Sequence, residues 1–130
     1  MRSFTSIEII KGHLAADPEL RYTANKGTPV AEFIVLSNRR TLNETTGEWE
    51  DTSTTRDVCK AFGRLAENIV ASLATGTAVL VVGETQTETW TDKTTGETRY
   101  KDVVIVRAAA ADLDRATATV TRNPKTDDDH

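Results

Sequence analysis

The sequence predicts an all-β domain: a five-stranded barrel interrupted by one helix and carrying two long β-hairpin arms. Three observations carry this expectation. Alternating, β-branched runs recur along most of the chain. Only one stretch, RLAENIVASLATG (64–76), sets its apolar residues at helical spacing. Two polar stretches, centred on Thr46-Gly47 and Thr95-Gly96, have the chemistry of hairpin tips. At 130 residues the chain is one domain's worth and long enough to bury a core without disulfides or metals.

FTSIEIIKGHL (4–14) alternates loosely and opens the barrel as its first strand. DPELRYTANKGTP is turn chemistry, punctuated by Asp17-Pro18 and Gly27-Thr28-Pro29, with Tyr22 pinning the turn. VAEFIVLSN (30–38) is the second strand, with Val30, Phe33 and Val35 as core candidates. TSTTRDVCKAF (52–62) returns from the first hairpin. The helix over 64–76 buries Leu65, Ala66, Ile69, Val70 and Leu73, and Gly76 stops it. TAVLVVGETQTETWT (77–91) begins apolar and turns amphipathic, as a strand does on leaving the core, and ETRYKDVVIVRAAA (97–110) returns. DLDRATATVTR (112–122) adds an extra C-terminal strand. Residues 1–122 form the domain, and 123–130 are a disordered acidic tail.

Composition narrows the function. The net charge is −4, and Lys125 against Asp127, Asp128 and Asp129 places two of those negative charges after Arg122. A nearly neutral domain does not grip nucleic acid by bulk charge, so the distribution of its cations decides. The single cysteine, Cys59, sits in an alternating apolar run as a small core residue and fits a reducing, cytoplasmic setting. No apolar run approaches the ~20 residues needed to span a bilayer. Two histidines and one cysteine offer neither a metal-ligand set nor a nucleophile with its base, and no glycine-rich phosphate loop is present. The expectation is a protein that is not an enzyme and needs no cofactor or metal.

ETQTETWTDKTTGETRY (84–100) sets Trp90 among Thr, Glu, Asp and Lys, in a chain with only seven aromatic residues. A tryptophan on a solvated hairpin suits stacking on something flat; packing under the hairpin or in a subunit contact is the structural alternative. One helix after the third of five strands is the layout of an oligonucleotide/oligosaccharide-binding (OB) barrel. GHLAADPELRYT (12–23), GTPVAEF (27–33), TTGE (45–48), FGRLAE (62–67), WTD (90–92) and RY (99–100) then resemble, in order and near spacing, the motifs of bacterial single-stranded DNA-binding proteins. The resemblance covers about residues 5–115, and RATATVTR (115–122) is similar to the extra strand of the actinobacterial branch.

That resemblance implies an OB fold assembling as a homotetramer that binds and protects single-stranded DNA without sequence preference, in replication, recombination or repair, near the nucleoid. Phe62 matches the family's stacking phenylalanine and Arg64 a backbone-contacting cation. Two further aromatic positions fall at about Thr41 and Arg56; a guanidinium still stacks on bases, whereas threonine does not. Gln86, Glu88 and Thr89 stand where basic residues are expected beside Trp90, which implies weaker or more salt-sensitive binding. The short acidic end lacks the family's terminal phenylalanine, so recruitment of other enzymes through it is not expected. The stretch 39–40 offers Arg39 and Arg40 to phosphate, and Lys93, Arg99 and Lys101 flank the second tip. Trp49 suits stacking or hairpin packing equally, Tyr100 supports Trp90 across the hairpin, and Asp57 falls at an expected subunit contact. Two other readings fit these residues: an OB interaction module scaffolding a replication or recombination complex, and a binder of single-stranded RNA.

Overall fold

The computed structural model describes residues 7–125, except for the side chains of residues 39–41, 51 and 52. Along the chain run β1 (Ile7–Leu14), β2 (Glu19–Tyr22), β3 (Pro29–Leu42), β4 (Trp49–Phe62), α1 (Arg64–Ser72), β5 (Ala78–Thr91) and β6 (Thr98–Ala111). The hydrogen-bonded order is β1-β5-β6-β4-β3-β2, and β1 also pairs with β3. That last pairing closes β1, β3, β4, β5 and β6 into a barrel and leaves β2 outside it on the edge of β3. All pairs are antiparallel except β4 with β6, which run parallel through Cys59↔Val104 and Lys60↔Ile105. The architecture is the OB barrel, with α1 in the connection between its third and fourth strands.

Period-2 alternation fills the interior. Ala31, Phe33 and Val35 of β3, Cys59 and Ala61 of β4, and Val79 and Val81 of β5 are all buried in one cluster. From α1, Ala66 and Ile69 join it, followed by Leu73, with Leu65 and Val70 partly buried beside them. Cys59 is fully buried, and burial, with the Asp57 charge adding to it, pushes its thiol up to about 12. The thiolate is the reactive form. A disulfide-exchange reagent at pH 8 is therefore expected to leave the folded protein unlabelled and to label Cys59 once denaturant unfolds it. Because folding holds this proton on, the associated stability is complete below the unfolded thiol's ~8.5 and is lost as pH rises above it.

The two arms are built alike. In the first, Asn43 Oδ1 accepts from the backbone N–H of Thr45 (2.9 Å) and Thr46 (3.2 Å). In the second, Asp92 Oδ1 accepts from Thr94 (2.8 Å) and Thr95 (3.3 Å). Gly47 and Gly96 then take φ of 75°, a left-handed conformation that closes each six-residue loop. The T-T-G triplets at 45–47 and 94–96 are thus repeated turn chemistry, and both tips fall where the sequence puts them. Since β4 and β6 are parallel, both arms leave the same end of the barrel.

Three expectations need correction. The segment taken as turn alone contains β2, whose Glu19–Tyr22 pairs with Glu32–Pro29. Thr23 closes the following loop by accepting from the Thr28 N–H (3.0 Å), and Tyr22 lies exposed on this short strand rather than pinned beneath it. The helix ends at Ser72, not near Gly76. Leu73 turns extended (φ −113°, ψ 143°) to reach the core, and Gly76 serves the turn into β5. Finally, 112–122 is irregular, and among the described residues no strand follows β6. Among the described residues this segment pairs with no strand of the sheet. It runs back over α1, where the Asn68 amide donates to Asn123 Oδ1 at 2.7 Å, and Val120 stays exposed.

Candidate nucleic-acid interface

Alternation and register assign one continuous outer face to β3, β4, β6 and β5. On β4 it carries Arg56, Lys60 and Phe62; across the parallel pairing, β6 adds Lys101 and Arg99, and β5 adds Glu88 and Trp90. Trp49 would fall on the opposite face by strict alternation from Phe62. A β-bulge prevents this: Arg39 pairs with Ser53 but Arg40 with Asp51, leaving Thr52 over. The extra residue returns Trp49, paired with Leu42, to the side of Arg56 and Phe62. The three rings are all accessible, with exposures of 45% for Phe62, 46% for Trp90 and 60% for Trp49.

The other sequence candidates divide. Tyr100 is exposed, but its cross-strand partner is Thr89, so it lies on the reverse of the arm and does not back Trp90. The neighbour across from Trp90 is Arg99. Arg56 is exposed and Lys93 projects from the second tip; neither has an ion pair among the described residues. Arg64 is exposed in the first turn of α1. The backbone of Arg39 and Arg40 belongs to β3, but their side chains lie outside the described residues.

Carboxylates occupy much of the positive charge on this face. Arg99 Nε donates to Asp92 Oδ2 at 2.9 Å, and its guanidinium lies 3.8 Å from Glu97. The Thr94 N–H, Arg99 and the Thr95 N–H together hold the Asp92 carboxyl below its ordinary range, so this pairing persists at neutral pH. Glu32 takes Arg21 at 2.9 Å and approaches Lys101 at 3.9 Å. Glu84 pairs with Arg107 at 3.1 Å. Lys60 donates to both carboxylate oxygens of Glu88, at 3.0 and 2.9 Å. Lys60 and Glu32 are the residues the sequence reading missed on this face; Glu88, read there as a missing cation beside Trp90, is the partner of Lys60. The signal for Lys60 was available: it precedes Phe62 by two positions and so shares its face.

Asp57 lies elsewhere, near the barrel end where Glu8 of β1 sits. Burial and then the Glu8 charge raise its carboxyl above the ordinary value. Among the described residues there is no group of three or more His, Cys, Asp or Glu that could hold a metal. No described helix is long and apolar enough to cross a membrane.

An OB barrel with three accessible rings and a set of cations on one outer face has the parts of a nucleic-acid-binding domain. The comparisons with known proteins narrow that class. The model of the single-strand binding protein family matches residues 6–112, and the chain belongs to that family. It is 36% identical over 122 residues to the single-stranded DNA-binding protein 2 of Streptomyces coelicolor, covering 94% of this chain and 60% of that protein. To the single-stranded DNA-binding protein of Mycobacterium tuberculosis it is 37% identical over 122 residues, covering 94% and 73%. Among solved structures, the small single-stranded DNA-binding protein from Streptomyces coelicolor superimposes with a TM-score of 0.70 at 27% identity, over 85% of this chain and 97% of that one.

Proposed function

We propose that this chain binds single-stranded DNA without sequence preference, by stacking bases on Trp90, Phe62 and Trp49 and by holding phosphates with Arg56, Arg64 and the arm cations. The observation that carries the reading is the bulge-corrected register that gives all three rings the same outer face. Stacking is worth ~1–3 kcal/mol per base and serves every base equally. On β6, the level of Phe62 lies eight residues from the level of Trp90, or ~26 Å along the strand path. One base cannot touch both rings, so the bound strand runs along the face, and the binding is passive coverage in replication, recombination or repair.

The test is anisotropy of labelled oligo(dT), the same length of oligo(U), and a duplex. Tight oligo(dT) binding that weakens with salt, with the duplex far weaker, supports the reading; equal binding of duplex, or none of oligo(dT), sinks it. A preference for oligo(U) would transfer the function to RNA, since only the 2′ position distinguishes the sugars.

We further infer self-assembly as a homotetramer. The outward side of β1 presents Ile7 and Ile9, with Ile9 at 73% exposure, beside the exposed Leu80 of β5. A contiguous apolar stripe on a barrel wall fits burial against another copy. Ile9→Lys is expected to lower the mass measured by light scattering, while far-UV circular dichroism stays unchanged.

A further inference from the structure

Lys60 is the most enclosed cation in the described ion pairs, its side chain only 14% exposed, and it is held by Glu88 through both carboxylate oxygens. The pair bridges the outer face from β4 to β5, between the levels of Phe62 and Trp90, across β6. Outward-facing Val103 is fully buried there. A strand running from one ring to the other must pass over this bridge. We propose that Glu88 is a built-in competitor for phosphate: it occupies Lys60 in the free protein, and bound DNA must take Lys60 from it. This rests on the single-stranded DNA reading above.

The consequences follow from charge balance. When phosphate displaces Glu88 from Lys60, the strand releases a condensed cation, but the freed carboxylate gathers one from solution. Net ion release at this position is therefore small, and affinity is held below what the cation alone would give. Neutralising Glu88 without changing its shape leaves Lys60 available from the start. Glu88→Gln is expected to tighten oligo(dT) binding by roughly fivefold, on the scale of a partly exposed ion pair. It should also steepen the logarithmic salt slope by ~0.7, the value of one added phosphate contact on a single strand. Glu32 exerts less of this effect, because its short contact is to Arg21 and Lys101 stands 3.9 Å away.

The decisive experiment is a double-mutant cycle of Glu88→Gln and Lys60→Met, read by anisotropy of labelled oligo(dT) across a salt series, with thermal melts confirming folding. The proposal expects tighter binding in Glu88→Gln and no gain from Glu88→Gln once Lys60 is Met. An equal gain in the Lys60→Met background means plain repulsion of DNA and overturns it. Unchanged affinity in Glu88→Gln also overturns it. A wild-type chain that does not bind oligo(dT) removes the functional reading itself, a failure visible before any variant is made.

Discussion

Replacing Trp90 by Ala is expected to weaken oligo(dT) binding by roughly 5- to 150-fold, the equivalent of losing one stacked base at ~1–3 kcal/mol. The ring stands near the tip of the second arm, half exposed, with no apolar cluster to claim it. Its flanking charges are already committed: Arg99 opposite it to Asp92, and Glu88 two residues before it to Lys60. Little electrostatic attraction is therefore left at this level of the face to replace the lost stacking. The loss should appear at low and high salt alike, because removing a ring changes no phosphate contact. Unfolding should be nearly unaffected, which separates this outcome from a folding defect. A variant that binds like wild type would place the strand elsewhere on the barrel.

Gly83→Ala is expected to cost substantial stability. Gly83 is buried in β5 at a register shift opposite β6. A methyl group there would collide with the backbone carbonyl oxygen of Ile105 and sit 2.7 Å from a Val104 methyl. The carbonyl belongs to the sheet and cannot swing away, so strands must separate or the barrel must distort. The expected cost is about 2–3 kcal/mol, the upper part of the range for overpacked cores. Urea denaturation would show it as a lower midpoint at an unchanged slope. Gly96→Ala is the natural comparison: nothing lies within 4 Å of its added methyl, and only the left-handed φ of 75° opposes it. It should cost clearly less. An equal loss in both would contradict the steric account of Gly83, which has no left-handed φ to oppose alanine.

Much of this architecture was legible from periodicity. Alternation in VAEFIVLSN and TAVLVV marks buried strands, and the 3–4 spacing of Ala66, Ile69 and Leu73 marks the helix face. The arm tips were legible because Asn43 and Asp92 each precede a T-T-G triplet and supply the turn's hydrogen bonds from their side chains. What alternation alone does not reveal is a slip in its own phase. The bulge at Thr52 moves Trp49 to the other face, and no residue type at that position announces it. Ion pairing was equally hidden, since Lys60 and Glu88 are 28 positions apart and meet only after the barrel closes. The same limit applies to 112–122. Its alternating Ala116, Ala118 and Val120 suggest a strand, but a strand also needs a neighbour to pair with, which alternation does not report.

The most direct test of the central claim is the fluorescence of a Trp49→Phe variant, in which Trp90 is the only tryptophan. Oligo(dT) would be added to saturation, with anisotropy of a labelled strand confirming that binding occurs. Stacking predicts deep quenching of Trp90 emission that follows the binding curve and reverses when salt releases the DNA. Saturated binding with Trp90 emission unchanged would contradict stacking on the second arm and, with it, the assignment of this face as the path of the strand.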